Sequence, residues 1–317
     1  MTVDRPGRLG VGIVGAGRVG AVLGSALRAV GHPVVAASGI SAASRDRVDA
    51  LLPGVPLLEV PDVVRQAELV LLTVPDDALG PLIAGLAELG AWQAGQIVLH
   101  TSGRFGTDVL APARAAGVIP LAVHPAMTFT GTSLDLVRLE GCCFAVTAPG
   151  PVLPIGQALV VELGGEPVVV SEAARPLYHA ALSHGANHLV VLVAQAAQAL
   201  AAAGVEQPGR VLSPLLAAAL DGALRAEMGQ AAQAGAGSIA TMTGPVARGD
   251  VGTVRDHLAV LSALAAREGA VDIPVAYRAL ARAGTQRSLA AGRLRETAAQ
   301  SLLDVLAEPP SPQEDIA

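Results

Sequence analysis

The chain has 317 residues, of which 52 % are apolar and 15 % charged, with a formal net charge of −6. That is enough apolar chain for two domains with real cores, while the acidic balance and 2 % aromatic content argue against the basic face and stacking platforms of a nucleic-acid binder. All 21 basic residues are arginine, which excludes a phosphate-loop lysine, a Schiff-base lysine and a lysine general acid.

The N-terminus, MTVDRPGRLG, lacks an apolar signal core. Cys142 and Cys143 are neighbours, so on a strand they point to opposite faces and are poorly placed to bond to each other. Reduced core cysteines in a cytoplasmic protein are the expectation. No Cys/His spacing suggests a metal site.

The first half alternates strand-like and helix-like runs. Strands are expected at Gly10–Val14, Pro33–Ala37, Leu69–Val74, Gln96–His100, Pro120–Val123 and Phe144–Thr147, and a last helix–strand unit at Leu153–Leu163 and Pro167–Val170. The strands are continuous apolar runs, as a parallel sheet covered on both faces requires. After Ser171 the chain turns Ala- and Leu-rich, with helices expected at Glu172–Ala203, Gly209–Ala234, Val251–Arg267 and Pro274–Leu306. The fold class expected is an α/β Rossmann domain over residues 1–170 followed by an all-α domain over 171–307. Residues 308–317, Pro-rich and acidic, read as a disordered tail. The most apolar stretch, Leu189 to Val205, is broken by Gln195 and Gln198 and reads as a buried soluble helix rather than a membrane span.

Gly15-Ala16-Gly17-Arg18-Val19-Gly20 is a G-x-G-x-x-G between a strand and a helix, the context that gives the pattern meaning. Gly15 permits the tight turn, Gly17 lets a pyrophosphate approach the backbone, and Gly20 lets helix and strand pack closely. The helix N-terminus then offers free N–H groups and the positive end of its dipole to phosphates. An NAD-specific site places an acid near the end of the second strand. Here Val34 to Arg45 holds none; it offers Ser38, Ser41, Ser44 and Arg45, which suit the 2′-phosphate of NADP(H) better than NAD(H). Alternatively, Arg45 and Arg47 are a solvated helix face. Two further loops follow strand ends where ligands of open α/β sheets bind. Val74 and Pro75 turn the chain across the cofactor, and Thr101 and Ser102 present hydroxyls to it, although plain turns would look much the same.

Three segments carry a resemblance: His124-Pro125-Ala126-Met127-Thr128-Phe129, Leu177-Tyr178-His179-Ala180-Ala181 running on to Ala186-Asn187-His188-Leu189, and Thr243-Gly244-Pro245-Val246-Ala247-Arg248-Gly249-Asp250. With the glycine fingerprint they resemble the Rossmann-like oxidoreductases that carry the domain of unknown function 2520, over nearly the whole chain. Some members of that family resemble an alternative ketopantoate reductase. Wider relatives are 6-phosphogluconate and 3-hydroxyacid dehydrogenases, ordinary ketopantoate reductase and pyrroline-5-carboxylate reductase, often dimeric. The resemblance implies hydride transfer with a nicotinamide cofactor, a small-molecule substrate and a homodimer formed through the helical domain.

The dehydrogenases and ordinary ketopantoate reductase place a lysine on the first long helix of the second domain, and this chain has none. The expected substitute is His184 as general acid, with Asn187 orienting the substrate and His124 as the second candidate, since histidine titrates near neutrality. His179, Ser183, His184, Asn187 and His188 are otherwise core or interface polar residues. Arg248 is expected to grip a substrate carboxylate, with Thr243 and His188 as further substrate contacts; an Arg248–Asp250 pair holding the loop is the alternative. The function expected is NADPH-dependent reduction of a small carbonyl compound bearing a carboxylate, a ketopantoate-like 2-oxo acid first. A cyclic imino acid, or a nucleotide-bound sensor or assembly protein without turnover, is the alternative. No metal, nucleic acid or membrane enters this reading.

Overall fold

The computed structural model describes residues 7–229 and 237–307. By its internal contacts the chain divides into two units, Met1–Ala186 and Asn187–Ala317.

In the first unit the elements run β1 (Val11–Val14), α1 (Arg18–Ala29), β2 (Val34–Ser38), α2 (Ala42–Leu51), α3 (Val60–Gln66), β3 (Leu69–Leu72), α4 (Asp76–Glu88), β4 (Ile97–His100), α5 (Ala111–Arg114), β5 (Ile119–Pro125), α6 (Leu134–Arg138), β6 (Cys143–Thr147), α7 (Leu153–Glu162) and β7 (Glu166–Val169). They build one seven-stranded sheet in the order β2-β1-β3-β4-β5-β6-β7. All neighbours are parallel except β5 and β6, which are antiparallel.

The apolar runs are continuous because both faces are covered. Val11, Ile13, Leu69, Leu71, Ile97 and Leu99 pack with Val22 and Leu27 of α1 and Leu159 of α7. The alternate residues Val14, Val70, Leu72 and Val98 pack with Val63 of α3 and Leu79 and Ile83 of α4. Successive side chains of a strand point to opposite faces, so each run serves two cores at once. The chain leaves β1 toward β2 on one side and returns to β3 on the other, which opens a crevice at the C-terminal strand ends.

Then come α8 (Arg175–Ala202), α9 (Pro208–Met228), α10 (Pro245–Arg248), α11 (Val251–Glu268), α12 (Asp272–Ala290) and α13 (Glu296–Val305). The second unit is thus all-helical over its described residues. Val254, Leu258, Ala281, Ala299 and Leu302 form its main core.

Three expectations are corrected. The helix expected over Pro274–Leu306 is two, α12 and α13; Gly292, at φ +67°, turns the chain, and the amide of Arg293 reaches back to Ser288 O at 2.8 Å. The cysteines are not core residues, since Cys143 is exposed and Cys142 half-buried; they stand at the start of β6, ahead of its buried residues Phe144 to Thr147. The stretch from Leu189 is not buried, because Leu189, Val190, Val191 and Leu192 are exposed. The later turns of α8 do pack, where Ala199 and Ala202 meet Leu264, Ala270 and Ile273. By length and composition, residues 172–202 are long and apolar enough to cross a membrane. The expected helix over Gly209–Ala234 and the expected tail extend into, or lie in, stretches outside the described residues.

Candidate active site at the sheet edge

The glycine turn follows β1 directly. Gly15 adopts φ +87°, a backbone that a side chain would strain. Thr73 Oγ1 donates to Gly15 O at 2.6 Å, and Gly15 N donates to Ser38 Oγ at 3.1 Å. Val74 also packs on the turn, since a Cβ on Gly15 would come within 2.9 Å of its Cγ1. Gly17 is the N-cap of α1 and gives it no side-chain cap, so the first-turn amides have no side-chain acceptor there. A Cβ on Gly17 would meet nothing nearer than Gly15 O at 3.9 Å, whereas one on Gly20 would collide with Thr73 Oγ1. The turn is open where a phosphate would approach and closed where the helix must pack. A dinucleotide therefore fits it, with the backbone of Gly15, Ala16, Gly17, Arg18, Val19 and Gly20 as cradle.

The hydroxyls and arginines expected to face that ligand also have partners within the chain. Ser38 is buried and its oxygen accepts from Gly15 N, so it shapes the turn. Ser41 caps α2 by accepting from Ser44 N at 3.1 Å. Arg45 donates to Ile40 O and Arg47 to Ala43 O, each at 3.0 Å. Arg47 and Arg18 also lie against Gly131, whose Cβ would come within 2.8 Å of Arg47 Nε and 2.9 Å of Arg18 Cγ. None of Arg18, Arg45 and Arg47 forms an ion pair among the described residues. The loop at Gly131 is fixed by the fully buried Asp135, which accepts from Thr130 N and Gly131 N at 2.7 Å and from Thr130 Oγ1 at 2.9 Å. Burial alone would raise the pKa of its carboxyl, but those donors outweigh burial and hold it below the usual range.

Pro75 N-caps α4, and Asp76 and Asp77 in its first turn complement the helix dipole. Thr101 N donates to Leu72 O at 3.2 Å. Ser102 builds its own loop: it is buried, and its Oγ accepts from Arg104 N and Phe105 N, each at 3.2 Å. His100 fixes the same loop, with Nε2 2.7 Å from Gly106 O and Nδ1 accepting from Ser102 N. Burial pushes its pKa down to about 4.

His124 lies near the end of β5. Its Nδ1 is 3.0 Å from the hydroxyl of Tyr178 on α8, and the two rings meet edge to face. The ring of His179 lies 6.3 Å from that of His124. A Cβ on Gly103 would meet His179 Cδ2 at 2.9 Å and His124 Nε2 at 3.0 Å, so a side chain there would displace the imidazoles. Burial first, then the charge of Arg175, pushes the His124 pKa down to about 4, leaving it neutral at physiological pH. Burial pushes the Tyr178 phenol up, against the pull of Arg175.

Arg175, the first residue of α8, is 0 % exposed. Its Nε donates to Thr147 Oγ1 at 2.7 Å, and Nη2 donates to Ala122 O and Ala145 O at 2.8 and 3.0 Å. Nη1 donates to Ser102 O at 3.3 Å. These acceptors are hydroxyl and carbonyl oxygens, none of them a carboxylate. Burial lowers its pKa to about 10, so it stays charged at neutrality. Glu172 instead caps the turn at Asp108, accepting from Thr107 N at 2.7 Å. Sequence reasoning missed Arg175 and gave Tyr178 no role. An arginine in the first turn of a helix, where acids are favoured, was the available signal.

His184, Asn187 and His188 lie on α8 and are exposed in the single chain. Within the second unit, Thr243 lines a cavity of about 400 Å³ with Leu192, Gln195, His257 and Tyr277. His257 Nδ1 and Tyr277 Oη are 2.9 Å apart, and Gln195 donates to Asp272 at 2.8 Å. Arg248 is 62 % exposed and pairs with Asp250 at 2.8 Å, on a one-turn helix flanked by Gly244 and Gly249, both at positive φ. Among the described residues there is no cluster of three or more potential metal ligands.

Two family models match the chain: a Rossmann-like domain over residues 2–125 and the domain of unknown function 2520 over residues 142–284. Comparison with curated protein sequences found no match. Among solved structures, the chain is similar to a Bacteroides fragilis protein provisionally assigned as an NADP oxidoreductase, at 19 % identity and a TM-score of 0.68, covering 87 % of this chain and 97 % of that one. It is similar to an Aspergillus terreus reductive aminase crystallised with NADPH and ethyl-5-oxohexanoate, at 16 % identity and a TM-score of 0.62, covering 94 % and 99 %. It is also similar to a Myxococcus stipitatus imine reductase variant in complex with NAD⁺, at 17 % identity and a TM-score of 0.56, covering 93 % and 99 %. At these identities the likeness is one of fold, the fold of NAD(P)-dependent oxidoreductases.

Proposed function

From a chain that joins a Rossmann-like domain to the domain of unknown function 2520, we infer an NADP(H)-dependent reductase of a small carbonyl compound bearing a carboxylate, a ketopantoate-like 2-oxo acid first. The observation that carries the reading is the pairing of two features on one sheet edge: an open glycine turn at the end of β1 and a titratable His124–Tyr178 pair at the end of β5. The bound cofactor would supply the hydride. The glycine-turn backbone would hold its pyrophosphate, and Arg18, Arg45 and Arg47, with no acid between Val34 and Arg45, favour a 2′-phosphate.

Of the histidines expected to take part in proton transfer, His124 is favoured over His184 with Asn187, because it stands at the strand ends where ligands of such sheets bind. Arg248 is proposed to grip the carboxylate, with Thr243 and His188 as further contacts. We also propose a homodimer through the helical unit. Leu189, Val190 and Val191 of α8 and Leu215, Leu220 and Leu224 of α9 are exposed in the single chain, apolar side chains that a second copy would cover. A membrane is a poorer occupant, because His184, Asn187, His188 and Gln195 interrupt α8 and Arg175 anchors its first turn to the sheet.

Titration with NADPH and NADH, followed by NADPH oxidation against a panel of 2-oxo acids and cyclic imines, tests the reading. Equal or tighter NADH binding would remove the cofactor preference, and turnover of imines alone would move the substrate to an imino acid. The absence of lysine favours one other reading, a nucleotide-bound sensor without turnover; NADPH binding with no oxidation of it across the panel would select that.

A further inference from the structure

We propose that Tyr178 is the catalytic proton donor of this reductase and that His124 resupplies it, the two forming a relay from solvent to the substrate oxygen. This rests on the reductase reading and adds the identity and route of the proton. The pair is joined across 54 residues of sequence by the 3.0 Å contact between Tyr178 Oη and His124 Nδ1. Both rings are held: Tyr178 edge-on to His124 at 5.6 Å between centroids, and beneath the Arg175 guanidinium at 5.9 Å. His124 Nε2 faces the other way, toward Gly103.

The charged and titratable groups around His124 are Arg175, His179, Asp76 and His100; those around Tyr178 are Arg175, Cys142 and Cys143. A neutral histidine in this setting does not act as an imidazolium. It works by exchanging tautomers, accepting a proton on one nitrogen as it gives one from the other. A bound dihydronicotinamide cofactor would supply hydride to the substrate carbonyl carbon, and as the C=O π bond breaks the oxygen would take the proton of Tyr178 Oη. Tyr178 Oη takes the proton of His124 Nδ1, and His124 Nε2 takes one from water. The relay ends with Tyr178 protonated and His124 in its other neutral tautomer, and the next turnover begins when His124 exchanges with solvent.

The test uses full-length protein. Tyr178→Phe should lower kcat about 10²–10⁴-fold, the usual worth of general acid catalysis, with NADPH affinity unchanged. Replacing the chain's two tyrosines by 3-fluorotyrosine, whose phenol is more acidic, should move the alkaline limb of kcat to lower pH; a purely structural Tyr178 would leave that limb in place. This second protein decides the matter if Tyr178→Phe does not fold. Without any turnover, ¹⁵N-histidine spectra of the cofactor-free protein should show His124 as neutral tautomers at pH 7, with its Nδ1 signal displaced in Tyr178→Phe. An imidazolium at pH 7, a fully active Tyr178→Phe or an unmoved limb overturns the relay alone. No turnover by the wild-type protein across the panel overturns the reductase reading and the relay with it.

Discussion

Arg175 Nε and Thr147 Oγ1, 2.7 Å apart and both buried, join the first turn of α8 to the end of β6. The same guanidinium serves the carbonyls of Ala122 and Ala145, so one side chain satisfies acceptors on β5 and β6 together. Arg175→Met would remove four hydrogen bonds donated by one charged group, a kind of bond worth about 1.5–3 kcal/mol net, so it should lower stability clearly. Arg175→Lys, which keeps the charge but loses the planar fork, should fall between. Urea unfolding of the two variants against wild type measures this; equal midpoints would show the contacts to be incidental.

Stability should fall with acid in a defined window. His100 and His124 both have folded-state pKa values of about 4 against an ordinary 6.5, so between those values the unfolded chain binds more protons than the folded one. Their contribution is therefore complete above pH 6.5 and is lost progressively as pH falls toward 4. The loss should total a few kcal/mol, since each tenfold difference in proton affinity is worth about 1.4 kcal/mol. Denaturant midpoints from pH 7.5 to 4 should show it, with a shallower slope in His124→Gln. An unchanged slope would mean that His124 titrates normally in the folded protein.

Arg45 and Arg47 should both discriminate between the dinucleotides, and Arg47 more strongly. Arg47 lies with Arg18 against Gly131, whereas Arg45 is exposed and turned to Ile40 O. A hydrogen bond to a charged group is worth about 1.5–3 kcal/mol, so Arg47→Ala should weaken NADPH roughly 10- to 100-fold and NADH little. Calorimetric titration checks it; equal losses for both cofactors would assign Arg47 to general electrostatics.

Arg248→Ala should raise KM for the carboxylate substrate with cofactor affinity unchanged. The Arg248–Asp250 pair is exposed, and such pairs contribute about 0–1 kcal/mol, so the variant should still fold. Asp250→Ala, which releases the guanidinium, separates the two roles. If Arg248→Ala and Asp250→Ala lose thermal stability together and leave KM alone, the pair holds the loop and does not bind substrate.

The sheet was legible because each strand is a short apolar run whose two faces are both buried, and the glycine turn because Gly15, Gly17 and Gly20 each meet a separate steric demand. The break between α12 and α13 was hidden, since helix-forming residues flank a single Gly292 on both sides. Ser38 and Ser102 look like ligand hydroxyls in sequence, yet nearby backbone amides already occupy them. Arg175 and Tyr178 could not be placed, because their partners lie 28 to 73 and 54 residues away and no local pattern encodes such distances.

Asp135 gathers Thr130 and Gly131 through bonds wholly internal to the chain, and the loop so formed lies on Arg18 and Arg47. A nucleotide arriving there would meet a loop already tied down, which lowers the conformational entropy cost of association. Preference between the two dinucleotides would then be expressed in residence time, the favoured one leaving slowly while both arrive at similar rates.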